Sequence, residues 1–261
     1  MRSENIHPMM NTFDPQSWVH TLRRRAKTFV GARPRLFFPL FRPRPAFDDL
    51  LVTRSTDLCI EGFPRSANSF AVGAVRHAQP GLVQIAHHTH VPANAMRACD
   101  WSIPTVVLIR SPQDAIVSRV ALGKETRMVG DESNPPKQHV SFATWVHAWY
   151  SFYRSLSRYR KREQLLVAPF QHVIQDMGRV IERVNARFGT GLNPFSHSDE
   201  AVAAVQEQQG YHAGPNDRRA QLKKETRADF AAALRKEATL REWMDEAERL
   251  QNLYLEAVDG E

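Results

Sequence analysis

Gly62-Phe63-Pro64-Arg65-Ser66-Ala67-Asn68-Ser69-Phe70 brings a guanidinium, two hydroxyls and a carboxamide into consecutive positions. If this segment turns into a helix, its free backbone N–H groups and the positive end of the helix dipole form an anion site, with Arg65, Ser66, Asn68 and Ser69 as added donors. A plain N-cap at Ser66 accounts for the same residues, so the segment alone leaves both readings open. The nucleotide-binding consensus G-x-x-x-x-G-K-[ST] is absent. Arg110 and Ser118 stand eight residues apart, and an arginine there offers a bidentate fork to an anion. The bland alternative is a surface ion pair for Arg110 and a solvent-facing Ser118. His87, His88 and His90 fall within four residues. They suit a general base or a metal site, but zinc needs further ligands, and no second His/Cys cluster has the spacing. General base therefore ranks above metal. In an extended loop His88 and His90, two apart, project to one side. His77, His139, His147, His172, His197 and His212 are scattered and default to structural or surface roles.

The elements that must position these groups alternate. Leu58-Cys59-Ile60 reads as a buried strand running into the Gly62 turn, with helical spacing from Ser66 to His77. Val83 to Ala86 reads as a second short strand. Thr105 to Ile109 is β-branched and bounded by Pro104 and Pro112. A helix follows it, with Ser111 as N-cap, Pro112 first and Asp114 at the positive end. Phe142, Trp145, Val146, Trp149, Phe152, Tyr153 and Leu156 recur at helical spacing. Leu165 to Ala168 reads as a fourth strand, Val173 to Phe188 as a helix stopped at Gly189, and Ala220 to Ala257 as a charged helical tail. Strands alternating with helices imply a mostly parallel sheet covered on both faces, with ligands at the carboxyl ends of its strands. Each cluster above directly follows one of these strands.

The 261 residues are 42% apolar and 24% charged, too apolar for a disordered chain, and no apolar run approaches the ~20 residues of a membrane span. Two cysteines exclude a disulfide framework and favour a reducing compartment. The first 20 residues have no apolar core of a secretory signal. The formal net charge is +7, and residues 1–50 hold nine Lys/Arg against four acids, or +5. That excess favours an anionic partner. Residues 1–50 read as a basic arm outside the core, in which Pro34, Pro39, Pro43 and Pro45 prevent a continuous helix. The arm is expected to be a strap with a solvated basic face. Phe37, Phe38, Leu40 and Phe41 among arginines also fit a membrane-surface element. Residues 51–261 are expected to form a single α/β domain.

Together these motifs resemble the sulfotransferases that use 3′-phosphoadenosine 5′-phosphosulfate (PAPS). FPRSANSF resembles that family's 5′-phosphosulfate loop. VVLIRSPQDAIVSRV resembles its 3′-phosphate motif, with Arg110 and Ser118 at the family's spacing. HTHVP resembles the segment carrying its catalytic histidine, and LLVAPF is similar to its fourth-strand segment. The resemblance covers about residues 57–190 and departs in two places. Ala67 replaces the usual glycine, and the later R-K-G…G-D-W-K segment is missing. Gly214 to Lys223, with Arg218, Arg219 and Lys223, stands where it would be expected to close over the cofactor.

The resemblance implies an α/β, P-loop NTPase-like sulfotransferase fold with a mostly parallel central sheet and a helical C-terminal part. It implies sulfuryl transfer from PAPS to a hydroxyl or amine, leaving adenosine 3′,5′-bisphosphate (PAP). His90 would be the base, His88 would assist it, and Arg65 would stabilise charge on the bridging oxygen. Arg65, Ser66, Ala67, Asn68 and Ser69 would hold the 5′ group, and Arg110 and Ser118 the 3′-phosphate. The family needs no catalytic metal, and no acidic strand end suited to magnesium is expected. The acceptor is expected to be a small molecule, lipid or glycan, not a nucleic acid, bound by loops at Gly123 to Val140 and 190–220. The expected location is cytoplasmic, with membrane contact through the arm as the variant. The rivals are a P-loop kinase-like phosphotransferase and a non-catalytic nucleotide- or membrane-binding protein.

Overall fold

The computed structural model describes residues 15–129, 140–208 and 217–259. Four short strands, β1 (Leu58–Gly62), β2 (Ile85–His87), β3 (Thr105–Ile109) and β4 (Leu165–Pro169), form one parallel sheet in the order β2-β1-β3-β4. Gly62 pairs with Leu108, and Ile109 with Pro169. The carboxyl ends of the strands thus share one edge. The chain leaves β1 towards β2 on one side and returns to β3 on the other, so the β1/β3 boundary is the topological switch point.

Side-chain alternation divides the core into two layers. Leu58, Ile60, Val106, Leu108, Leu166 and Ala168 pack under α3 (Asn68–Ala78) and α8 (Met177–Phe188), which is separated from β4 by the short α7 (Phe170–Gln175). Cys59, Val107, Ile109, Leu165 and Val167 pack under α4 (Pro92–Asp100), α6 (Phe142–Leu156) and α11 (Ala238–Asp259). The expected α/β architecture, a parallel sheet flanked by helices with a helical C-terminal part, is what the structure shows. Around it lie α1 (Pro15–Gly31), α2 (Pro34–Phe41), α5 (Pro112–Val129), α9 (Asp199–Gln208) and α10 (Asp217–Lys236).

Several element boundaries differ from expectation for local reasons. The second strand starts at Ile85 rather than Val83. The Val173–Phe188 helix is interrupted at Asp176, whose carboxylate caps α8 by accepting from the Arg179 N–H at 2.9 Å. The charged tail breaks at Glu237, between α10 and α11. The proline-rich part of the arm is helical, because Pro34 sits at the favoured first turn and α2 is only eight residues long despite Pro39 inside it. Phe37 and Phe38, read as part of an arm outside the core, are 1% and 4% exposed within it. Their burial outweighs the interior proline.

Candidate active site

The loop after β1 is built on backbone strain. Arg65 and Ala67 have φ of +73° and +68°, and α3 begins at Asn68 with Ala67 as its N-cap, not at the expected Ser66 cap. The position where a glycine was expected therefore does take the left-handed conformation, with an alanine bearing its cost. The loop is held from below. Arg65 Nε donates to Ser118 Oγ at 3.1 Å, and Arg110 Nη1 donates to the Arg65 carbonyl at 3.0 Å. Ser118 is 1% exposed, so the solvent-facing reading fails. Accepting from an arginine leaves its own O–H free to donate. From α6, Trp149 Nε1 donates to the Arg110 carbonyl at 3.2 Å, and the Tyr153 hydroxyl donates to the Leu108 carbonyl at 2.7 Å. The aromatic stripe of α6 thus fixes the end of β3 with its polar tips.

The loop after β2 is not extended. His88 and His90 have φ of +57° and +52°. A buried carboxylate sets this shape: Glu61 accepts from Thr89 N at 3.0 Å, Thr89 Oγ1 at 2.6 Å, His90 N at 3.2 Å and Asn94 Nδ2 at 3.0 Å. Burial outweighs these bonds and raises the carboxyl to about 6. Glu61 is an acidic residue near the end of β1, but its oxygens are spent on the histidine loop.

The three histidines have different tasks. Arginine only donates, so Arg76 Nη2, 3.1 Å away, makes His87 Nε2 an acceptor. A neutral His87 then carries its proton on Nδ1 and donates to His88 Nδ1. His88 in turn donates from Nε2 to Ser69 Oγ at 2.8 Å, which leaves the Ser69 O–H to donate elsewhere. Both rings are held neutral by burial. His87 is lowered to about 3, helped by the His88 and Arg76 charges, and His88 is lowered with help from Arg76. His90 Nδ1 lies 3.1 Å from the Gly62 carbonyl and donates to it, so Nε2 is the unprotonated nitrogen. Burial lowers His90 to about 3, opposed by that bond and reinforced by His88, Lys27 and Arg24.

A cavity of about 680 Å³ opens over this edge. Its cationic lining is Arg24, Lys27, Arg65, Arg110, Arg119 and Lys223, and among the described residues no carboxylate lines it. Ala67, Asn68, Ser69 and His90 also face it, whereas His88 does not. Burial and the charges of Arg219, Arg110 and Arg119 lower Arg65 to about 10. Burial lowers Lys223, with Arg110, Arg65 and Arg219 adding to it. Such a site is electrostatically incomplete without an anion. Ser66 is fully buried beneath the loop. Arg219 pairs with buried Glu125 at 2.7 Å instead of lining the cavity, and Arg218 is exposed and absent from it. His139, His212 and Gly214 to Asn216 lie outside the described residues.

Arg24 and Arg119 escaped sequence reading. Arg24 stands in the run Arg23 to Arg25, where helical rotation turns one member of three inward. Arg119 adjoins Ser118, and that adjacency was the only signal.

No protein-family model matches the chain, and no curated protein sequence matches it. Among solved structures the chain is similar to mouse sulfotransferase SULT7A1 complexed with PAP, with a TM-score of 0.42 and 10% identity over 78% of this chain and 92% of that one. Among the described residues no helix is long and apolar enough to cross a membrane.

Proposed function

We propose that the protein is a sulfotransferase that moves a sulfuryl group from PAPS to a hydroxyl or amine. The observation that carries this reading is the Arg110–Arg65–Ser118 cluster at the β1/β3 switch point, whose two arginines face a cationic cavity that His90 also lines. The cavity fits the cofactor: its volume lies in the usual ~300–1,000 Å³ range for ligand sites, and Phe70, Leu122, Phe170 and Ile174 supply apolar wall. Bound there, PAPS would supply the sulfuryl group to the acceptor oxygen or nitrogen, the bond from sulfur to the 5′-phosphate oxygen being the one broken and PAP the leaving group.

The chain's residues do the rest by positioning and charge stabilisation. The first-turn N–H groups of α3, with Ser69, hold the 5′ end. Arg110, stacked 4.1 Å from the Phe170 ring, holds the 3′-phosphate with Lys223, while Ser118, buried behind the cavity wall, fixes the Arg65 guanidinium. Arg65 neutralises charge on the leaving oxygen. His90 Nε2 takes the acceptor proton, and the bound anions favour the resulting imidazolium, which Arg24 and Lys27 disfavour in their absence. His88 acts through Ser69 as a positioning residue. A magnesium-dependent phosphotransferase is less well supported, since no carboxylate lines the cavity among the described residues.

The test is calorimetry with PAP and with ATP, which lacks a 3′-phosphate. PAP should bind well and ATP weakly, and Arg110→Ala should weaken PAP by about 10- to 150-fold, the cost of a charge-assisted contact. Equal affinity for both nucleotides, or unchanged PAP affinity in a folded Arg110→Ala protein, overturns the reading.

A further inference from the structure

A second cavity, of about 250 Å³, adjoins the first beneath α1. The two share Arg24, Lys27, Arg119 and Trp145, so they abut on the same side chains. The second adds Arg23 and Arg127, and again no carboxylate lines it among the described residues. Arg24 Nε is buried with no hydrogen-bond partner. The Arg24 and Arg119 guanidinium carbons lie 4.3 and 5.0 Å from the Trp145 ring centroid, so two cations crowd one indole. Arg24 is lowered to about 9 by burial, with the Arg119 charge adding to it. Neither Arg24 nor Arg119 is paired with a carboxylate among the described residues. Partly desolvated cations without counter-charge are costly, and the space in front of them is open.

The cofactor does not account for this charge. In the proposed reading its anionic groups are held at the Arg65, Arg110 and Lys223 end. The Arg24–Arg119 end lies across Trp145, on the side bounded by Gly123 and Val140. His90 lines the larger cavity, and a further small cleft joins it to Arg24 and Lys27.

We infer that the acceptor carries its own anionic group, a carboxylate, phosphate or sulfate, which docks between Arg24, Arg119 and Arg127 while its hydroxyl faces His90. This inference rests on the sulfuryl-transfer reading. The small volume suits one anionic substituent and the ring or short chain bearing it.

The experiment titrates the full chain, saturated with PAP, with glucose 6-phosphate, inorganic phosphate and glucose. Glucose 6-phosphate and phosphate should bind the saturated protein, and glucose should not. Arg24→Gln and Arg127→Gln should each weaken glucose 6-phosphate by about 10-fold or more, and Arg127→Gln, which lines only the second cavity, should leave PAP affinity within about 2-fold. Should Arg24→Gln fail to fold, Arg127→Gln alone decides. The inference is overturned if glucose 6-phosphate does not bind the saturated protein, if PAP displaces it, if glucose binds equally, or if a folded variant binds it as the parent does. If PAP fails to bind while glucose 6-phosphate binds, the anion cavity stands and the cofactor reading falls. If PAP binds and glucose 6-phosphate does not, the reverse holds.

Discussion

At the scale of single residues, the hydrogen-bond directions distinguish two histidines that sequence treats alike. His90 has its Nδ1 tied to a carbonyl and its Nε2 available, whereas both nitrogens of His88 are committed. In single-turnover sulfuryl transfer, His90→Ala should lose about 100- to 10,000-fold with PAP affinity spared. His88→Ala should lose less, and restoring the Ser69 contact with His88→Gln should recover part of it. Full activity in His90→Ala would remove the proposed base. The same residues set the response to acid. His87 and His90 are lowered to about 3 in the folded chain, so between pH 6.5 and 3 the unfolded chain binds more protons, and the stability present above 6.5 is lost as pH falls. Glu61, raised to about 6, acts oppositely: its native carboxyl holds a proton that the unfolded one releases, which adds stability as pH falls from 6 to 4.5. Two histidines outweigh one carboxyl, so urea midpoints should decline from pH 7 to pH 4. A flat profile would contradict the burial of these rings. Bound PAP should raise the His90 titration, as read by NMR.

At the scale of elements, α1 and the histidine loop meet at a contact that tolerates no side chain. A Cβ on Gly31 would lie 2.5 Å from Val91 Cγ1 and 2.7 Å from Val91 Cβ, and Val91 directly follows His90. Gly31→Ala should therefore cost about 1–3 kcal/mol by overpacking and displace the loop that carries the base. Gly81→Ala, with nothing within 4 Å of its Cβ, is the control. Equal urea midpoints for the two variants would show that α1 does not seat on the loop. The clamp of α10 on α5 is held differently, by the buried Arg219–Glu125 pair and by the Lys124–Asp229 and Arg227–Asp114 pairs nearer the surface. That clamp brings Lys223 to the cavity.

At the scale of the whole molecule, the basic segment and the sheet domain share a core. Phe37 and Phe38 belong to the same apolar cluster as Val107 and Trp149, and Arg24 reaches the cavity from α1. Deleting residues 1–50 should abolish cooperative unfolding, not merely loosen a peripheral arm. A truncated chain that unfolds cooperatively and binds PAP like the full chain would make the segment dispensable.

Much of this was legible without coordinates. Strand-length runs such as Thr105 to Ile109 can be buried on both faces only in a covered parallel sheet, and such a sheet gathers every strand end at one edge. Arg65, His90 and Arg110 were thus brought together by local pattern and general topology. The left-handed Arg65 was not legible, because Arg110 and Ser118, which hold it, are distant in sequence. Neither was Glu61, since an acid at a buried strand end is interpretable only once Thr89, His90 and Asn94 are seen donating to it. The inward face of Arg24 also needed the fold: three consecutive arginines share one composition, and only packing of α1 against α6 decides which one leaves solvent. Periodicity is a local property of the chain, whereas hydrogen-bond direction and desolvation depend on residues that meet only after folding.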